Sequence, residues 1–398
     1  MRNIVIGADG TWNKPDQLDR GRQVPSNVVK MVRAVERHAP DVPQICWYCT
    51  GVGTAGVIDK MWGGAAGRGL FGNMREAYAW LMAHYRPGDR LFLFGFSRGA
   101  FTVRSLAGML QVCGVPQGVP SSGSSSGSEL PAAGFPSGSE VPKAAPTPII
   151  SQATGWSGSE LPAAPPTPST GDGGESLAEQ AARIYRISDP IKRAQAGAQF
   201  REKYQCHTGH VHFLGVWDTV GAMGLPTKGP LGWATRARHR FHNVQLGDNI
   251  SHAYHALAIN EQRAPFEPAL WQPPCPPQVQ TVQQMWFPGV HSNVGGGYVD
   301  AGLSDVALQW MMESAASHGL VLNPQYLVKR VDPNVFGELR DSLTAAYRTP
   351  LTGMPRPRVV GSGALGEALQ MSVQQRWVCP SRPDELPFVP LGDGGIKK

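Results

Sequence analysis

The chain has 398 residues, 41% of them hydrophobic, and carries 36 Lys and Arg against 30 Asp and Glu for a formal charge of +6. That is enough apolar residue to bury a large core, while so mild and diffuse a positive excess excludes a case for nucleic acid as a partner. Six cysteines over this length exclude a disulfide scaffold, and 48 Gly with 35 Pro point to a locally disordered stretch.

The opening "MRNIVIGADGTWN" reads as a first strand ending in Asp9, not as a signal peptide, and no apolar run approaches a membrane span. Synthesis in the cytoplasm follows, with any export by a route that needs no signal peptide. Ser26 then caps a helix carrying Val28, Val29, Met31, Val32 and Val35 on adjoining turns. "QICWYCTG" is a second strand. Its Cys46 and Cys49 form a C-x-x-C with no second pair at metal-ligand spacing, and read as buried thiols. "GNMREAYAWLMAHYRPGD" is a helix closed by Pro87 and Gly88. "RLFLFGF" is a strand without alternation, as expected where both faces are covered. Gly95 and Gly99 then bracket Ser97 where strand gives way to helix. Gly-x-Ser-x-Gly at such a junction is the pattern of a nucleophile elbow, because glycine permits both the sharp turn and the close approach.

From about 116 to 176 the composition changes. "GSELPAAGFP" (127–136), "GSEVPKAAPTP" (138–148) and "GSELPAAPPTP" (158–168) are imperfect copies of one unit. No copy has the apolar surface to offset its ordering entropy, so a disordered linker with no part in chemistry is expected. Order resumes with "ESLAEQAARIYRI", a helix, and "HVHFLGVWDTVGAMG", a strand ending in Asp218. "NISHAYHALAINEQR" reads as another helix. "VQQMWFPGVHSNVGGGY" is a strand running into His291 and a glycine-rich turn, and "LSDVALQWMMESAASHG" is a helix with Ser304 as its cap. The remainder, 325–398, is rich in Pro and Gly with weak periodicity and gives no placement of its own.

Strands alternating with helices predict an α/β fold: an α/β-hydrolase-like, mostly parallel doubly wound sheet with helices on both faces and a low-complexity insertion. Residues 1–115 form its first half with the elbow, and 177–324 the second half. Residues 325–398 are an extension packing on the core.

On such a sheet function gathers at the carboxyl ends of strands. Three of these carry Ser97, Asp218 and His291, in that order. A serine hydroxyl needs an imidazole to take its proton, and the imidazole needs a carboxylate to fix its tautomer. The bland readings are a small residue at an ordinary turn for Ser97, a turn cap for Asp218 and a packing histidine for His291. Asp300 and Asp305 are rival acids, but both follow the histidine, against the Ser, Asp, His order of this fold. An acyl-transfer site also needs oxyanion donors. The backbone N–H of Arg98 is the first. The second is expected from "ADGTWN", where Gly10 allows close approach and Thr11 offers its N–H or hydroxyl; Asp9 either anchors that loop or holds a cation.

"CHTGHVH" (206–212) places His210 and His212 on one strand face without a further ligand at zinc spacing, so neither metal nor cofactor is expected. "TRARHRFH" (235–242) is a basic run, read either as a solvated face or, in a lipid-processing enzyme, as a seat for anionic headgroups.

Eight blocks in order, "DGTWN", "GVGT", "GFSRGAFTVR", "FLGVWDTVGAMG", "YHALAINEQR", "WFPGVHSNVGGGY", "LSDVALQWM" and "MSVQQR", resemble a bacterial α/β-hydrolase family once catalogued only as a domain of unknown function. The resemblance covers about 1–115 and 177–376. The family includes the first class of type VI secretion lipase effectors, which are phospholipases. The resemblance implies Ser97, Asp218 and His291 as the triad and hydrolysis of acyl esters. It implies as partners a lipid or ester substrate, an anionic membrane surface, and a secretion-machinery or immunity protein. The alternatives are a non-catalytic binding or immunity-like member, and a soluble short-chain esterase or thioesterase. Asn293 stands where the family usually has Asp, and the sequence ends soon after the last block, whereas effector members often carry large C-terminal modules that engage membrane.

Overall fold

Strand and helix do alternate, and the strands meet in one seven-stranded sheet in which every pair is parallel. The computed structural model describes residues 1–10, 13, 15–51, 65–117, 175–220, 245–348, 354–377 and 389–390. The repeats, Thr11 and the basic run at 235–242 lie outside the described residues. The strands are β1 (Asn3–Ala8), β2 (Gln44–Cys49), β3 (Arg90–Phe96), β4 (Val211–Trp217), β5 (Ile250–Ala258), β6 (Thr281–Phe287) and β7 (Glu367–Leu369). Their order across the sheet is β7-β6-β5-β4-β3-β1-β2. The chain therefore reverses its direction of travel across the sheet between β1 and β3.

Helices α1 (Asn27–Ala34), α2 (Ala65–His84), α3 (Arg98–Cys113), α4 (Leu177–Tyr185), α5 (Pro190–Lys203), α6 (His291–Gly295), α7 (Gly302–Ser317), α8 (Pro324–Arg330) and α9 (Met371–Trp377) complete the described helices of α type. On one face of the sheet Leu81, Leu106, Ala181 and Phe200, from α2 to α5, share a core with Ile4, Leu93 and Leu214. On the other, Val28 and Val32 of α1 and Leu308 and Met311 of α7 share one with Val5, Phe92, Phe94 and Phe213. Successive strand residues thus enter opposite cores, and that is why "RLFLFGF" shows no alternation. Each fully buried side chain of this size contributes roughly 1.5–3 kcal/mol. Leu91 to Phe94 therefore anchor the strand that carries Ser97 more firmly than any single hydrogen bond would.

Ser26 caps α1 as expected, its Oγ accepting the Val29 N–H at 3.2 Å. Two expectations need correction. Residues 250–258 are strand, not helix, and all nine are buried between β4 and β6. A run apolar on both sides has no period-2 signature, so its pattern cannot separate strand from helix. Ser304 is not the cap of α7 either. The helix begins two residues earlier, Asp300 Oδ1 accepts the Gly302 N–H at 3.0 Å, and Ser304 Oγ donates to the Ala301 carbonyl. Helix α5 went unassigned in the sequence although it opens on Asp189 and Pro190, a good cap and first-turn pair.

Described residues after 325 meet the sheet and one another. β7 lies beside Gln284–Trp286 at the edge of the sheet, and the buried Arg376 of α9 donates to the Val335 and Gly337 carbonyls.

Candidate active site

Ser97 sits at φ 56° and ψ −121°, a backbone state that costs a non-glycine residue of order 1–3 kcal/mol. The surroundings enforce it. A Cβ on Gly95 would lie 2.6 Å from Ala100 Cα, and one on Gly99 would run into the carbonyl oxygen of Ala8. Only glycine lets α3 start this close to β3 and β1. The Ser97 N–H donates to Trp217 O at 3.0 Å, which ties the turn to β4. The elbow thus stands at the carboxyl end of β3, beside the point where strand order reverses.

Asp218 directly follows β4, and His291 follows β6 and opens the short helix α6 rather than a turn. Ser97 Oγ lies 2.8 Å from His291 Nε2, and His291 Nδ1 lies 2.6 Å from Asp218 Oδ2, with all three residues buried. The carboxylate accepts the Nδ1 proton, which leaves the Nε2 lone pair facing the serine hydroxyl. The imidazole is held between the rings of Phe96 and Phe266, at centroid distances of 4.6 and 4.9 Å. Burial pushes His291 below its ordinary range, partly countered by Asp218, so the ring is a neutral base near neutral pH. Burial alone would raise Asp218, but Arg358 and His291 outweigh it and hold the carboxyl well below its ordinary range.

Several side chains that build this arrangement were not singled out in the sequence. Arg358 binds Asp218 through both nitrogens, Nη1 to Oδ1 at 2.5 Å and Nη2 to Oδ2 at 2.9 Å. Its segment shows no periodicity, and no local signal marks it. Glu261, in "YHALAINEQR", accepts the His291 N–H at 3.2 Å, the Ser342 hydroxyl at 3.0 Å and a bidentate pair from Arg263. The Arg263 partnership overcomes burial and lowers Glu261 to about 2. Asn260 Oδ1 accepts the Gly289 N–H at 2.7 Å, so the end of β5 clamps the loop that carries His291. A run of polar residues at the end of a buried strand was the available signal.

Asn293 does not touch the imidazole of His291. Its Oδ1 accepts the Val290 and Arg340 N–H groups, and its amide donates to the Glu338 carbonyl at 2.9 Å. A carboxylate could not make that last bond, so the amide suits the loop built here.

Beside Ser97, the N–H groups of Arg98 and Gly99 open α3, where first-turn donors have no intrahelical partner. Gly10 does abut Ser97, since a Cβ there would lie 3.1 Å from Ser97 Cβ. Its own N–H, however, donates to Asp9 Oδ1 at 2.8 Å. Asp9 Oδ1 also takes the Asn13 amide, and Oδ2 takes the Ser26 and Tyr48 hydroxyls at 2.6 and 2.7 Å. Four neutral donors thus fill a buried carboxyl that burial raises, which makes Asp9 an anchor of the loop.

The rival acids lie elsewhere. Asp305 pairs with Lys30, and Asp300 accepts the Gly302 and Glu338 N–H groups. His210 precedes β4 instead of sharing a strand face with His212; it bonds Ser251, while His212 bonds the His318 carbonyl. Among the described residues no His, Cys, Asp and Glu group is set to hold a metal ion, and no helix is long and apolar enough to cross a membrane.

Residues 2–314 match the model of a type VI secretion system family, the phospholipase effector Tle1-like catalytic domain. An uncharacterized protein of Saccharomyces cerevisiae, YEL023C, is 25% identical over 291 residues, 68% of this chain and 33% of the yeast protein. A crystal structure of an uncharacterized protein from Pseudomonas aeruginosa aligns with a TM-score of 0.46 and 18% identity, covering 84% of this chain and 49% of that one. The Tle1 effector bound to the VgrG spike of the type 6 secretion system aligns with a TM-score of 0.34 and 14% identity, covering 76% and 52%. The chain thus spans about a third of the yeast protein and about half of each solved chain.

Proposed function

The chain belongs to the Tle1-like phospholipase effector family of the type VI secretion system, through that family's catalytic domain, and on that footing we propose that it is a serine hydrolase cleaving acyl esters of phospholipids. Ser97 Oγ attacks the acyl carbonyl while His291 Nε2 takes its proton, and Asp218 stabilises the imidazolium that forms. The N–H of Arg98 meets the developing oxyanion. The second donor is the N–H or hydroxyl of Thr11, on the loop that Asp9 anchors. Collapse of the tetrahedral intermediate expels the alcohol, which takes its proton from His291. Water, activated by the same imidazole, then releases the fatty acid from Ser97.

One observation carries this reading: the unbroken chain of hydrogen bonds from Ser97 through His291 to Asp218, on a strained turn of the kind that presents a nucleophile. Delivery by a type VI machine, and an immunity protein in the producing cell, belong to the same proposal and rest on family membership. The test compares wild type with Ser97→Ala on phospholipid vesicles and on a short-chain ester. Loss of roughly 10⁴-fold or more in both assays, with an unchanged circular dichroism spectrum, is expected. Turnover near the wild-type level in the variant would place the nucleophile elsewhere. Activity of the wild type on the soluble ester alone would make it a short-chain esterase or thioesterase.

A further inference from the structure

Asp218 has room for about four donors, and all four places are taken. Oδ1 accepts the Ala258 N–H at 3.0 Å and Arg358 Nη1 at 2.5 Å; Oδ2 accepts His291 Nδ1 at 2.6 Å and Arg358 Nη2 at 2.9 Å. The arginine is itself tethered, Nη1 to the Ala258 carbonyl at 2.7 Å and Nη2 to the Phe266 carbonyl at 2.6 Å. Both partners are buried, Asp218 completely. Asp218 also stands at φ 38°, which a non-glycine residue holds only where its surroundings over-determine it.

We infer that Arg358 is a positioning residue for the reaction: it holds the Asp218 carboxylate against His291 Nδ1 and, by sharing that carboxylate, keeps the imidazole a free base further into acid than an unshared acid would. The inference rests on the Ser97, His291, Asp218 reading above. An aspartate facing only a histidine lends its whole negative charge to the imidazolium and raises its proton affinity. Here the bidentate guanidinium takes part of that charge. The other groups around His291 largely offset one another. Glu261 accepts its backbone N–H and carries the opposing charge of Arg263, while Phe96, Phe266 and the Ser97 hydroxyl are neutral. The trade is between proton affinity and orientation. A carboxylate with one partner would pull harder on the imidazole, but it would be free to turn away from Nδ1.

The experiment is the pH profile of kcat/KM on a soluble short-chain ester for wild type, Arg358→Gln and Arg358→Lys, with Ser97→Ala as the control for the triad itself. Glutamine removes the charge and keeps one amide donor; lysine keeps the charge and loses the fork. Arg358→Gln should move the acidic limb up by about one pH unit and lower the plateau. Arg358→Lys should lower the plateau while leaving the limb in place. A limb unmoved in folded Arg358→Gln would overturn the inference and leave a purely structural arginine. Should Arg358→Gln fail to fold, Arg358→Met, which keeps the apolar stem and loses the charge, is assayed in its place: an acidic limb moved up supports the inference, and an unmoved limb overturns it. An active Ser97→Ala variant would instead overturn the triad, whatever Arg358 does.

Discussion

Lys30 Nζ and Asp305 Oδ1 lie 2.6 Å apart in the interior, an ion pair that ties α1 to α7. Both side chains are less than a tenth exposed, and Asp305 Oδ2 also accepts the Asp332 N–H at 2.9 Å. The pair occupies an acid that lies close to His291 in sequence, and it separates two kinds of loss. Asp218→Asn should cut turnover by about 10⁴-fold, because the histidine is left in the wrong tautomer, and should also lower the melting temperature, because the buried Arg358 loses its charge partner. Asp305→Asn should lower the melting temperature alone, with near-normal turnover in the folded fraction. It should cost on the order of 3–5 kcal/mol of stability, since it strands a buried ammonium. Thermal melts beside ester kinetics read both, and a catalytically dead but stable Asp305→Asn would sink the assignment of the acid.

Acid should weaken the fold before it touches the paired carboxylates. Burial pushes His255 down to about 3; its Nε2 accepts the Thr219 N–H and its Nδ1 bonds Gln284. Burial, then the neighbouring His318 stacked at 3.6 Å, pushes His252 down to about 4. Unfolded, both return toward 6.5. Between those values the unfolded chain binds more protons, so stability is full above about pH 6.5 and falls as pH drops toward 4. Melting temperatures from pH 8 to 4.5 should show this decline, with a shallower slope in His252→Phe, which keeps a ring and loses the proton site. A melting temperature flat down to pH 4.5 would contradict the placement of these imidazoles.

Deletion of 121–170 should leave fold and activity in place. The flanks belong to one layer: α3 ends at Cys113, Val115 exchanges hydrogen bonds with His207, and Cys113 Sγ donates to the Ala181 carbonyl of α4. Loop-closure entropy changes by only roughly 0.6 kcal/mol per doubling of loop length. Soluble protein with turnover within about twofold of wild type is expected. Insoluble protein, or loss of most activity, would mean that the repeats contribute to the site.

If the substrates are phospholipids and the basic run at 235–242 meets their headgroups, vesicle binding should rise with anionic lipid and fall with salt, which screens such attraction. Replacing Arg236, Arg238 and Arg240 together should weaken binding to anionic vesicles without changing turnover of a soluble ester. Equal binding to neutral and anionic vesicles would remove the electrostatic part.

The glycine-flanked turn at Ser97 and the chain order of the three candidate residues were legible in the sequence because each rests on a local rule. Glycines at 95 and 99 answer a steric demand within a few residues, and strands β1 to β4 and β6 announce themselves by short apolar runs between turn residues. The strand at 250–258 was not legible, since burial on both faces erases the alternation that would have marked it. Nor was Arg358, which stands 140 residues from Asp218 in a segment with no periodicity. A buried carboxylate demands a full set of donors, but any residue the fold brings within reach can supply them. Sequence alone named the serine, acid and histidine; only the packed sheet decided that an arginine from beyond 325 would hold the acid, because satisfying a buried charge depends on distance in space and not along the chain.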